Sequence, residues 1–151
     1  MTIIKLITIL NAPIDTVFNL SRNIDIHLLS THQTNEKAIA GRTSGLIELN
    51  ETVTWRGKHF CFYLKHKSLI SEMDLPVYFV DEMLEGSFKT FRHEHSFKFE
   101  DGSTIMTDEI LYETPFGVFG KLFDKIILEK YLTSFIKKRN QIIKELAENP
   151  Q

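Results

Sequence analysis

The sequence is poor in features that would staple, anchor or strongly charge a protein. Its one cysteine, Cys61, cannot form an internal disulfide, and a reducing compartment is its simplest home. No apolar run near the start is long enough to span a membrane. The longest, Ile3 to Leu10, contains Lys5 and Thr8 and then meets Pro13, with neither a basic leader nor a small-residue cleavage site. Neither sign of charge dominates: 18 Lys and Arg against 20 Asp and Glu leave a formal charge of −2, which argues against a non-specific nucleic-acid binder. No internal repeat, linker or low-complexity tract interrupts the chain.

What is present is 42% hydrophobic and 25% charged residues over 151 positions, the proportions of a folded chain rather than a disordered one. The length predicts one domain, residues 1–151. Such a chain buries roughly two thirds of its unfolded surface and needs neither disulfide nor structural metal to fold. The expectation is a cytoplasmic protein without stable membrane insertion, a monomer or weak homodimer.

Thr2 to Leu10 is rich in β-branched residues and reads as a strand. Asn11-Ala12-Pro13 stops it, with Pro13 suited to the first position of a short helix whose apolar face is Val17, Phe18 and Leu20. Asn23 can cap a second short helix. The middle is β-rich. A weak strand at 36–40 precedes a glycine-bounded loop, and a β-like run from Glu51 to Asp74 is too long for one strand. A break near Cys61–Leu64 divides it into strands at about 51–60 and 65–74. Further strands are expected at 77–85, 88–100 and 103–113, the last two joined by Asp101-Gly102, a strong two-residue hairpin signal.

From Gly120 to Glu148 apolar residues recur at helical spacing with no proline or further glycine, and Leu128, Leu132, Phe135, Ile142 and Leu146 share a stripe. The first part, from Phe119 to Ile127, is apolar nearly all round and should be covered on several sides. One strand, two short helices, six strands and one long helix predict an α+β fold. In it a curved antiparallel sheet of about seven strands wraps a C-terminal helix.

A two-residue turn at Asp101-Gly102 makes opposed residues sum to 203, so His95 faces Asp108, Phe97 faces Met106, His93 faces Ile110 and Phe91 faces Tyr112. Phe91, His93, His95, Phe97 and Phe99 share one face, while the other carries Arg92, Glu94 and Lys98. The aromatic face should point inward. His93, His95, Asp108 and Tyr112 are then polar groups on an inner face. A buried carboxylate needs a partner, and an imidazole across the ladder supplies one. Two readings stay open. The pair is a structural cross-strand hydrogen bond, or these groups line a cavity and orient an otherwise apolar ligand.

His-x-His places both rings on one side, and a nearby carboxylate, with His59 as a further ligand, would complete a zinc site. That spacing is common by chance among six histidines, and the helical His-Glu-x-x-His and paired Cys-x-x-Cys signatures are absent. Neither metal nor other cofactor is expected. Arg139 lies near the middle of the helix stripe, where it either pairs with an inner carboxylate, Asp108 or Asp81, or holds an anionic ligand head. Whether Asp81 or Glu82 points inward is open, since both faces of 77–85 are similarly apolar. The aromatic run from Phe60 to Leu64, flanked by Lys58 and Lys65, covers the mouth of the grip or touches a membrane or partner.

The element order, with Val53-Thr54-Trp55-Arg56, Phe79-Val80-Asp81-Glu82-Met83, Gly86-Ser87-Phe88, His93-Glu94-His95-Ser96-Phe97, Gly102-Ser103-Thr104-Ile105-Met106-Thr107-Asp108, Pro115-Phe116-Gly117-Val118-Phe119-Gly120 and Arg139-Asn140, resembles the bacterial SRPBCC proteins. That superfamily includes START lipid-binding domains, the birch-pollen allergen and polyketide cyclase/dehydrases. The resemblance covers essentially the whole chain. It implies a helix-grip fold whose cavity, between sheet and long helix, binds a hydrophobic or amphipathic molecule such as a lipid, isoprenoid or polyketide. Trp55, Phe91, Phe97, Met106, Ile110, Phe119 and Phe123 would form apolar wall. His93, His95, Asp108, Tyr112 and Arg139 would supply the polar contacts. The alternative is a cyclase- or dehydratase-type enzyme with His95 oriented by Asp108 as general base and Tyr112 or His93 as acid. No run matches a defined catalytic motif of the cyclases.

Overall fold

The computed structural model describes residues 1–150. Strand β1 (Thr2–Leu10) leads into α1 (Ile14–Ser21) and α2 (Ile24–Ser30), and a single 3-10 turn (His32–Thr34) precedes β2 (Lys37–Gly41). Strands β3 (Thr52–His59), β4 (Phe62–Asp74), β5 (Tyr78–Glu85), β6 (Thr90–Glu100) and β7 (Ser103–Glu113) follow. The chain closes with α3 (Gly117–Phe123), a π-helical turn (Asp124–Leu128) and α4 (Glu129–Glu148). All strands form one antiparallel sheet in the order β1-β7-β6-β5-β4-β3-β2, so the first strand lies beside the last.

Local chemistry explains most of these elements. The Asn23 side chain accepts hydrogen bonds from the backbone N–H groups of Asp25 and Ile26 and starts α2. Pro13 stands just before the first helical residue of α1 rather than at it. The Asp101-Gly102 turn has positive φ at both residues, and the β6–β7 ladder keeps the predicted register throughout, Phe91 opposite Tyr112 to Phe99 opposite Thr104. The break in the long β run falls earlier than expected. Phe60 and Cys61 both take left-handed φ, of 49° and 68°, and make a two-residue hairpin turn, so Phe62, Tyr63 and Leu64 belong to β4. Nothing in Phe-Cys announces such a turn, because glycine or asparagine normally occupies those positions.

The C-terminal helix differs from its expected form in three ways. It begins at Gly117 and is interrupted by the π turn, in which Asp124 is buried. Its most buried face is Ile136, Arg139, Asn140, Ile143 and Ala147, whereas Leu132, Phe135, Ile142 and Leu146 lie on its flanks. Hydrophobicity alone misplaces the stripe because two polar residues occupy its centre. The apolar first part is not covered on several sides: Phe119 is 83% exposed, and Leu122, Phe123, Ile126 and Ile127 are exposed as well.

Two apolar clusters hold the sheet against the helices. One joins Leu10, Val17, Phe18, Phe79, Phe97, Met106 and Ile143; the other joins Ile4, Ile110, Tyr112, Leu128 and Ile136. Along β6, β7 and α4 in turn, the residues between these clusters are His93 and His95, Asp108, and Arg139 and Asn140. The interior is therefore two greasy ends separated by a polar layer.

Candidate functional site

The polar layer is built by strand alternation. His93 and His95 point inward from β6 because Phe91 and Phe97 do, and Asp108 points inward between Met106 and Ile110. The carboxylate of Asp108 is 1% exposed and fully engaged. Its Oδ2 accepts from Asn140 Nδ2 at 2.6 Å, and its Oδ1 accepts from His93 Nε2 at 2.9 Å. His95 Nδ1 lies 3.0 Å from the same Oδ1 but off the hydrogen-bonding axis, so that buried nitrogen has a close charge and no aligned partner. The Arg139 guanidinium stands 3.6 Å from Oδ1 and donates to the Ser21 carbonyl and to Asn140 Oδ1. Burial opposes ionisation of Asp108, but the two imidazoles outweigh it and hold the carboxyl well below the usual range. Burial pushes His93 the other way, toward its neutral form, and the adjacent His95 adds to that.

Asp81 resolves the open question on β5: it faces inward, opposite His93 in the ladder. Its Oδ2 lies 3.1 Å from His95 Nε2 and 3.8 Å from His93 Nδ1. Against burial, the hydrogen bond from His95 and the charge of its neighbours hold its carboxyl at about 2. Each histidine thus stands between two carboxylates, with the rings 3.7 Å apart.

Beside this layer, between the sheet and the C-terminal helix, lies a cavity of about 550 Å³. Trp55, Phe91 and Ile110 line it, Phe119 and Phe123 stand at its exposed mouth, and His93, His95 and Arg139 give it a polar end. Four expected residues are elsewhere. Phe97 packs edge-on against Phe18, and Met106 is fully buried with Ser21 Oγ donating to its sulfur; both fill the first apolar cluster instead of walling the cavity. Asp108 lies behind the histidines, out of contact with the cavity. Tyr112 donates its hydroxyl to Asp124 of the π turn, which with burial pushes its own ionisation upward, and it does not reach the cavity. The physical reason is common to all four. Alternation tells which side of the sheet a residue faces, not whether space or a packed neighbour meets it there.

A second polar group went unnoticed in the sequence. Glu36, just before β2, accepts from His27 Nε2 at 2.5 Å and lies 3.7 Å from His59 Nε2. His59 Nδ1 meets the Tyr131 hydroxyl at 2.6 Å, and the His27 ring stacks on Trp55 with centroids 4.1 Å apart. All five residues line the cavity. Burial would raise the Glu36 carboxyl, but the hydrogen bonds from His27 and His59 dominate and bring it to about 2. Of these, only the inward placement of His59 and Trp55 is legible in the sequence. The cavity is therefore apolar along its length, with one acid–imidazole group against the polar layer and another on the β2–β3 side.

Among the described residues no helix is long and apolar enough to cross a membrane. No family model matches the sequence, and no curated protein does. Solved structures match over nearly the whole chain. A START superfamily protein from Mycobacterium smegmatis superposes with a TM-score of 0.72 at 11% identity, covering 95% of this chain and 98% of that one. Ginseng major latex-like protein 151 from Panax ginseng gives 0.72 at 13% identity, with 98% of each chain covered. Protein TTHA0849 from Thermus thermophilus gives 0.69 at 15% identity, with 94% and 97% covered. The architecture is the helix-grip, START-like fold of the SRPBCC type. Within that class, its likeness extends to both the START protein and the plant major latex-like protein.

Proposed function

We propose that the protein binds one hydrophobic or amphipathic small molecule, of the lipid, isoprenoid or polyketide kind, between sheet and C-terminal helix. The cavity of about 550 Å³ carries this reading, because its size suits a small ligand and close-packed interiors do not normally leave such a space. Trp55, Phe91 and Ile110 would bury the apolar part, and His93, His95 and Arg139 would orient a polar head. A ligand burying about 300 Å² of apolar surface gains about 7.5 kcal/mol before the costs of immobilisation. The fold it shares with the START and major latex-like proteins supports a ligand-binding role in general terms. The single cysteine supports a cytoplasmic setting, and the balanced charge supports the absence of a nucleic-acid partner.

Solvent extraction of the purified protein followed by mass spectrometry should yield a co-purifying apolar molecule, or the dye ANS should bind saturably at one site. Leu132→Trp, which adds bulk to the cavity wall, should weaken dye binding at least tenfold. Absence of both a co-purifying molecule and saturable dye binding overturns the reading.

One observation favours a catalytic alternative of the cyclase or dehydratase kind: His95 lines the cavity with Asp108 beside its Nδ1. Tyr112 drops out as the acid, its proton being committed to Asp124. In an enzyme, His95→Gln abolishes turnover and spares binding; in a carrier, there is no turnover to lose.

A further inference from the structure

In the polar layer two carboxylates, Asp81 and Asp108, stand on opposite edges of two neighbouring imidazoles, His93 and His95, with the Arg139 guanidinium beside Asp108.

One ligand atom each of Asp81, His93 and His95 lies within 4.8 Å of the other two, and among the described residues no other group of His, Cys, Asp and Glu side chains does so; Asp81 Oδ2 faces His95 Nε2 and His93 Nδ1. The separations of 3.1 and 3.8 Å from the carboxylate to the two nitrogens bracket the roughly 3.3 Å expected between donors sharing a tetrahedral ion at about 2.0–2.1 Å. The opposite edge of each imidazole faces one atom, Asp108 Oδ1: His93 Nε2 at 2.9 Å and His95 Nδ1 at 3.0 Å. Ligating histidines regularly direct their second nitrogen to a carboxylate, which fixes the tautomer and makes the ring a better donor. Here Asn140 and Arg139 hold that one carboxylate for both rings at once. The otherwise unpartnered His95 Nδ1 is then the N–H that a ring bound through Nε2 must carry.

We propose that Asp81, His93 and His95 form a binding site for one divalent transition-metal ion of the zinc class, with Asp108 as the outer carboxylate that orients both imidazoles. Two imidazoles and a carboxylate suit zinc, cobalt or ferrous iron over magnesium or calcium, which prefer oxygen alone. The three ligands line the cavity, so an ion there is within reach of an oxygen-bearing head of a molecule held in it. The sequence favours no metal because His-x-His is common by chance and the other metal signatures are absent, and it names no particular carboxylate for such a site. The structure puts Asp81 there and Asp108 behind.

The test is titration of chelator-treated protein with ZnCl₂ by calorimetry and with CoCl₂ by visible absorption. Wild type should take up one equivalent, and cobalt should develop the intense d–d bands of a low-coordinate site. Asp81→Asn and His93→Gln should weaken binding at least 100-fold, Asp108→Asn about tenfold, and His32→Gln, at an exposed histidine, should change nothing. If a variant fails to fold by circular dichroism, ¹⁵N spectra of wild-type histidine rings decide, since zinc should shift His93 and His95 selectively. No stoichiometric uptake by wild type overturns the proposal. So does uptake that survives Asp81→Asn and His93→Gln but is lost in Glu36→Gln, or zinc that moves other rings. Dye binding is measured separately, so metal uptake without it would reject the apolar-ligand reading and leave this site standing.

Discussion

Single side chains in this protein do unequal work for similar chemistry. Glu36 and Asp108 are both buried carboxylates held by histidines, yet Glu36 lines the cavity and Asp108 lies behind it. Glu36 makes the cleaner probe of pH dependence. The groups facing it are His27 from α2, His59 from β3 with Tyr131 behind it, and His66 at longer range from β4. Its carboxyl falls from 4.5 to about 2 on folding, so its ionisation stabilises the folded state above about pH 4.5. That contribution fades as pH drops toward 2. A shift of this size corresponds to at most about 3 kcal/mol. Urea melts of wild type and Glu36→Gln should therefore differ most above pH 5 and converge as the pH approaches 2; a constant difference would deny the coupling.

At the scale of elements, turn chemistry separates what was readable from what was not. Asp101-Gly102 carries the residues that left-handed turns prefer, and from it the whole β6–β7 register followed. Phe60-Cys61 adopts the same backbone with neither asparagine nor glycine, and so the β3–β4 boundary was misplaced. Something must hold so unfavourable a turn: Phe60 packs on Tyr131 and edge-on against Phe123, both beside the cavity mouth. Cys61 has no such duty and is exposed. Cys61→Gly should thus relieve left-handed strain and raise stability by about 1 kcal/mol, seen as a higher urea midpoint with an unchanged slope. The π turn is a second element without a local signal. One extra residue in a helical turn rotates the following face by about 100°, and Asp124 within it serves both Tyr112 and Thr2 across the molecule.

Taken whole, the molecule is two packed ends, a polar layer and a cavity opening beside an apolar rim. Phe116, Val118, Phe119 and Leu122 are exposed there, more apolar surface in one place than a solvated helix start requires. If ligands enter past this rim, Phe119→Ser with Leu122→Ser should slow dye uptake several-fold in stopped flow. The urea midpoint should hardly move, because exposed side chains contribute little to folding. Unchanged uptake would place the entrance elsewhere.

Local sequence determined the order of elements, the register of the central hairpin and the side of it that carries histidines. Each depends on neighbours a few residues apart, where backbone geometry permits little choice. Tertiary structure alone decided that Asp81 joins those histidines, that Arg139 and Asn140 displace the helix's apolar stripe, and that Phe97 and Met106 meet packed neighbours while Phe91 and Ile110 meet open space. Those outcomes follow from how far a curved sheet stands off a helix contributed by the far end of the chain. That separation is set by the sum of many side-chain volumes and leaves no trace in the periodicity of any one segment.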